Sequence, residues 1–373
     1  MSGTGKAQNE KKETKVSSTI AASNEEVANS DQIVFNEPID SRLWMIAKCA
    51  FSGIALPCYA FYFKKMFDEG GDMRVWEDLY GRSVFFFLSS VAGYLYYSTK
   101  NEGISFFELE AKIRWLFALR LLSCGTSYGC LTLALSQGKT ISIPILTILS
   151  SQSLFRLFVH YSSNTHNMAS KILSFILLAL SLVGLGCLYS DDASPNPKTG
   201  LESQTKGLKY YNEKTQFVYS LAASILFTIG QAVMYKTKNY IHHSIDTIYV
   251  SLSMTLVTPS FVLSDYSMYP TKFSVSGGEL LYYFIGGVLT WIFHSQITQV
   301  ASQPKETVSN PEMCLNSLML AFVIACVIDS SAYGSKLGGA QLAGACLLIV
   351  PGLFYDSYCY FKRCVRESSG KSS

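Results

Sequence analysis

A turn flanked by apolar segments occurs twice in this chain. SQGKTISIP at residues 136–144 returns, with one gap, as SQPKETVSNP at residues 302–311, keeping Ser, Gln, Lys, Thr, Ser and Pro in order. The offset is 302 − 136 = 166 at the first Ser and 311 − 144 = 167 at the Pro. A second landmark keeps that spacing: Ser170-Lys171 opens KILSFILLALSLVGLGCLY and Ser335-Lys336 opens KLGGAQLAGACLLIVPGLF, at 335 − 170 = 165. In each copy an apolar segment precedes the Ser-Gln motif, another follows the Pro and a third follows the Ser-Lys. Two landmarks at almost the same offset mark an internal repeat, and a repeat of this content is a string of hydrophobic helices.

The apolar runs have the length, about 20 residues, that crosses a bilayer as a helix. They fall at 43–63, 77–97, 115–135, 143–161 and 171–190, and again at 216–235, 246–265, 279–300, 313–333 and 338–357. Only 15% of the 373 residues are charged and 49% are hydrophobic, against roughly 25% charged in an ordinary soluble domain. The expected architecture is therefore an all-α integral membrane protein of ten transmembrane helices, arranged as two five-helix repeats over 43–190 and 216–357. An odd number of spans per repeat starts the second on the opposite face, so the two units are expected to be inverted. The seventh run is the weakest, being rich in Ser and Thr and interrupted by Pro259. Outside the runs, residues 1–42 read as a disordered polar tail, 191–215 as a solvated linker and 358–373 as a basic tail. With both termini in the cytosol, Lys100, Arg114, Lys171, Lys236 and the basic tail fall on the cytosolic side, a modest bias.

A net charge of +3 gives no broad basic field, which argues against nucleic acid as a partner. The ten cysteines form no CxxC pair, and Cys124, Cys130, Cys187, Cys326 and Cys346 lie in apolar runs, where they act as small hydrophobes. His242 and His243 have no third ligand nearby, so neither a metal nor a cofactor is expected.

Five plus five helices, Arg82 in GRSVFFF, Arg120 in WLFALRLLSCGTSYGCLTLALSQGKT, Pro144 in the fourth run and the glycines of SLVGLGCLYS resemble the drug/metabolite transporter superfamily, in particular its EamA-like members related to nucleotide-sugar transporters. The resemblance extends over about 43–357. It departs at the end of the fourth helix, where the family commonly has an acidic residue and this chain has Arg156 and His160. It implies a central solute cavity built by helices one to four and six to nine, with five and ten as scaffold.

Ionisable groups within spans cost roughly 2.5–3.5 kcal/mol and tend to face a wet cavity or a partner. On that ground Arg82, Arg120, His294 and Asp329 are candidate solute-binding residues. Arg82 reads equally as a snorkelling residue and Asp329 as a helix-end residue. Arg120 lies five positions inside Trp115, which points to a solute or a buried partner. Tyr128, Gln152, Gln231, Gln296 and Asn316 complete the candidate cavity, with interhelical hydrogen bonding as their alternative role. The paired turns supply candidate gates: Ser136, Lys139, Ser142 and Pro144 in one, Ser302, Lys305, Ser309 and Pro311 in the other. Each opens a helix whose N-terminal N–H groups favour negative charge. Together with Arg120 they suggest an anionic or zwitterionic small-molecule solute moved across a lipid bilayer by alternating access. A nucleotide-sugar exchanger of the Golgi or endoplasmic reticulum is the neighbouring alternative, and a non-transporting scaffold or receptor the alternative of another class. An enzyme is not expected: the chain has no HExxH, no GxSxG and no clustered intramembrane carboxylates.

Overall fold

A computed structural model describes residues 42–69, 75–100, 113–163, 168–189, 213–237, 240–268, 277–302 and 311–370. They form ten α-helices and no strand: α1 (Arg42–Glu69), α2 (Val75–Lys100), α3 (Arg114–Gln137), α4 (Ser142–Ser163), α5 (Met168–Leu188), α6 (Glu213–Thr237), α7 (His243–Met268), α8 (Gly277–Ser302), α9 (Pro311–Ala332) and α10 (Gly339–Gly370). Most of the N-terminal tail and of the 191–215 linker lies outside the described residues.

Each expected apolar run is a helix, and two differ from expectation in extent. Pro259 does not break α7, which runs through it as α1 runs through Pro57. Proline removes one backbone hydrogen bond, and neighbouring helices can compensate. The Thr255 hydroxyl, one turn before Pro259, donates to the carbonyls of Ser251 and, on α2, Ser83, which ties α7 to α2 at this level. The last helix does not stop at 357 but continues to Gly370, because no glycine or proline interrupts the chain between Leu353 and Ser369.

Four helices are long and apolar enough to cross a membrane by length and composition: α3, α5, α6 and α8. α4, α9 and α10 contain shorter apolar stretches. Ionisable residues are buried among an apolar core, and large apolar side chains face outward. Lys64, Asp78, Arg82, Arg120, Asp246, His294 and Asp329 are buried, whereas Trp115, Leu122, Ile172, Phe175 and Val183 are exposed.

Helix ends can be placed from contacts between elements. At one end, which we call the Lys64 end, Lys64 at the close of α1 donates to the carbonyl of Gly138 just after α3 (2.6 Å). Gln216 of α6 reaches Thr140, Tyr282 of α8 meets Tyr62, and Tyr189 after α5 meets Phe217 of α6. At the opposite, His243 end, Gln299 of α8 reaches Tyr97 of α2 and Thr298 meets Thr247 of α7. Thus α1 finishes where α6 begins, and α3 finishes where α8 begins. The neighbour relations also exchange between the halves. α3 and α4 pack on α6 as α8 and α9 pack on α1, while α2 pairs with α7, α4 with α9 and α5 with α10. The α5–α10 crossing depends on two glycines: a Cβ on Gly184 would lie 2.8 Å from the Gly344 carbonyl, and one on Gly344 would lie 2.6 Å from that of Gly184.

Candidate functional site

Three helices bring their ionisable residues together inside the bundle. Arg120 of α3 is fully buried and faces Asp246, in the first turn of α7, with Nε and Nη2 each donating to one carboxylate oxygen. Its Nη1 donates to the carbonyl of Gly230 on α6 at 2.7 Å. That approach needs glycine, since a Cβ on Gly230 would stand 2.6 Å from the Cys124 sulfur of α3. A planar fork matched to a carboxylate is the geometry in which a buried ion pair repays its desolvation. His294 of α8 completes the cluster, with Nε2 3.7 Å from Asp246 Oδ2 and Nδ1 3.4 Å from the Tyr128 hydroxyl. Tyr128 and His294 stand 294 − 128 = 166 positions apart, the offset of the two Ser-Gln motifs.

A second cluster lies toward the Lys64 end. Arg82 pairs with Asp78 one turn earlier on α2. Its Nη2 donates to Thr132 at 3.4 Å, and its guanidinium lies 4.4 Å over the Tyr59 ring and 5.2 Å from the centre of Phe63. Thr132 also meets the Tyr59 hydroxyl at 3.2 Å. Arg82 Nε is buried and has no hydrogen-bond partner among the described residues. The pairing of positions 82 and 132 is echoed by Thr247 and Thr298, at 247 − 82 = 165 and 298 − 132 = 166, whose hydroxyls are 3.5 Å apart.

The first Ser-Gln turn is held from three sides. Asp329, near the end of α9, accepts the backbone N–H groups of Ile141 and Ser142, each at 2.9 Å, and so caps α4 from another helix. Lys64 and Gln216 bind the carbonyls of Gly138 and Thr140. Ser136, Ser142 and Pro144 are buried and Lys139 is exposed.

The expected site residues therefore divide. Arg120, Tyr128 and His294 come together, and Arg82 lies in the neighbouring cluster. Asp329 sits at the turn, with both carboxylate oxygens committed to backbone N–H groups. Gln231 is buried and Gln296 half-buried, and each keeps one amide atom without a partner among the described residues. Gln152, Asn316, Ser302 and Pro311 stand in helices, but their side chains lie outside the described residues. Lys305 and Ser309 lie outside them altogether. Sequence reasoning missed Asp246, Asp78, Lys64 and Gln216. The i, i+4 spacing of Asp78 and Arg82 was a readable signal. Asp246, 126 residues from Arg120, offered no local one.

No family model matches the chain, and no curated protein matches it by sequence. Solved structures do share the fold. One, described as "Crystal structure of protein", aligns with a TM-score of 0.50 at 11% identity, over 82% of this chain and 96% of its own. At that identity the likeness concerns the fold alone.

Proposed function

We propose that this chain is a multi-pass membrane transporter that moves a small polar, anionic or zwitterionic, metabolite by alternating access, with two five-helix units in inverted orientation. The observation that carries the reading is the opposed course of counterpart helices, α1 against α6 and α3 against α8, around buried ionic clusters. Two units related in this way can adopt each other's conformations, which opens one end of the bundle as the other closes. The turn at 138–142, held by Lys64, Gln216 and Asp329, is then the gate of the Lys64 end in its closed form. The second Ser-Gln motif, which begins at Ser302 where α8 ends, is its proposed counterpart. The apolar outer faces of α3 and α5 support a lipid environment.

Each buried arginine carries its own carboxylate, so the clusters are close to neutral before solute arrives. A solute carboxylate or phosphate reaches Arg82 most directly, because its Nε has an unused donor. Purified full-length protein in proteoliposomes, supplied with a labelled mixture of small anionic and zwitterionic metabolites, tests the proposal. Retention of at least one solute above protein-free vesicles, lost in Arg82→Leu, is expected. Retention of none would favour a scaffold or receptor.

A further inference from the structure

A crevice of about 490 Å³ lies between α2, α7 and α8, apart from the ionic clusters. Its wall on α8 runs from Phe284 through Val288, Trp291 and Ser295 to Gln299. The 15 steps from 284 to 299 cover about 22 Å of helix at 1.5 Å per residue. Ser89, Gly93 and Tyr97 of α2 form the facing wall, and His243, Ser244 and Thr247 of α7 the floor of its outer part. Polarity is graded along this length. Toward the Lys64 end α8 presents Phe284 and Val288, with Ser89 and Ser90 of α2 beside them, and the part at the His243 end presents Tyr97, His243, Ser244 and Gln299. Among the described residues no lysine, arginine, aspartate or glutamate lines it. Lys100, beside it at the end of α2, is turned onto the Tyr96 ring (4.4 Å) and hydroxyl (2.5 Å).

Several of its hydroxyls already have acceptors: Ser90 bonds the Phe86 carbonyl, Thr247 that of His243 and Ser295 that of Ile292. Gln299 donates to the Tyr97 hydroxyl. Gln296 Oε1, by contrast, is a buried acceptor with no donor among the described residues. An acceptor in an uncharged setting selects a neutral donor and disfavours an anion. The rim is apolar, with Tyr96 and Phe284 about half exposed at 55% and 49%, so entry is from the side of the bundle.

We propose that this crevice binds a membrane lipid of the sterol class, with its single hydroxyl donating to Gln296 and its rigid body lying on Trp291, Val288 and Phe284 toward mid-bundle. The graded polarity runs in the direction in which a one-headed amphiphile lies in a leaflet. The planar walls Tyr94 and Trp291 suit a flat ring system better than paired acyl chains. The assignment rests only on the membrane part of the proposed function and not on transport.

The test uses full-length protein in nanodiscs and a photoactivatable cholesterol, with cross-linked peptides mapped by mass spectrometry. Labels are expected on α2 and α8, removed by excess cholesterol. The 3-keto analogue, which has no hydroxyl to donate, is expected to compete about tenfold less well, the worth of one hydrogen bond. Cholesterol sulfate is expected to be a similarly weak competitor. Gly93→Leu should cut labelling strongly, because even a Cβ there lies 3.2 Å from the Trp291 indole and a longer side chain fills the space. Gln296→Leu keeps the volume and removes the acceptor, so it carries the test if Gly93→Leu fails to fold. Labelling spread over the outer faces of α5 and α10, equal competition by the ketone, or no response to Gln296→Leu would overturn the assignment. Solute uptake is read separately: its absence with crevice labelling intact counts against transport alone, and its presence without that labelling against the lipid site alone.

Discussion

The two buried arginines use the same chemistry to different ends. Arg82 finds its carboxylate one turn away on its own helix, so the pair forms whenever α2 forms. Arg120 finds its carboxylate 126 residues away and takes a carbonyl from a third helix, so it joins α3, α7 and α6. Each Arg120 nitrogen has an acceptor, while Arg82 retains a spare Nε and lies on the face of Tyr59. The comparison assigns them different work. Arg120 with Asp246 joins three helices, and under the proposed transport function Arg82 is the cation available to a solute.

The largest effect should come from breaking the long-range pair alone. Arg120→Leu leaves Asp246 buried without a partner and should cost about 3–5 kcal/mol, seen as loss of folded protein on gel filtration or a much lower melting temperature. Adding Asp246→Leu should recover most of that loss, because an apolar pair replaces a buried ion pair with little penalty. A double variant no more stable than Arg120→Leu would refute the pairing as the source of the effect.

Arg82→Leu is the contrasting case. Asp78 lies in the first turn of α2, where the helix dipole favours its charge, so the stability loss should be smaller, about 1–3 kcal/mol. Uptake in proteoliposomes should nevertheless vanish. Arg82→Lys should restore little, since an ammonium lacks the fork that serves Asp78, Thr132 and a solute together. Normal uptake by Arg82→Leu would erase the distinction between the arginines.

The smallest stability change belongs to Asp329→Asn, which weakens a two-bond cap on α4 and should cost about 1 kcal/mol by thermal melting. Its consequence should be conformational, because it loosens the closed turn while leaving both arginine–carboxylate pairs in place.

The helices were legible in the sequence because apolar runs of bilayer length report local chemistry, and every run corresponds to a helix within a few residues at most ends. α10 exceeded its run because Tyr358 to Arg366 are polar enough to end a span without ending a helix. The partners of the arginines were less legible. Asp78 could have been found by helical spacing, but Asp246 appeared as one acidic residue at the start of a Ser/Thr-rich run. Its role depends on α3 and α7 being neighbours, which no short pattern encodes. Asp329 was visible as an ionisable group in a span, yet its acceptors are backbone N–H groups 187 and 188 residues away. The repeat offset carried more than expected, since the same spacing recurs in the Tyr128–His294 contact.

The central claim is that the two turns are gates that open in opposition, and the most direct test reads both in one experiment. Single cysteines at Ser142 and at Ser309, each in a background freed of reactive native cysteines, would be labelled in nanodiscs with and without Asp329→Asn. Loosening the Lys64 end should raise labelling at position 142 and lower it at position 309, because the variant changes only the balance between two states. A rise at both positions, or a change at 142 with none at 309, would contradict alternating access and leave the repeat without a gating role.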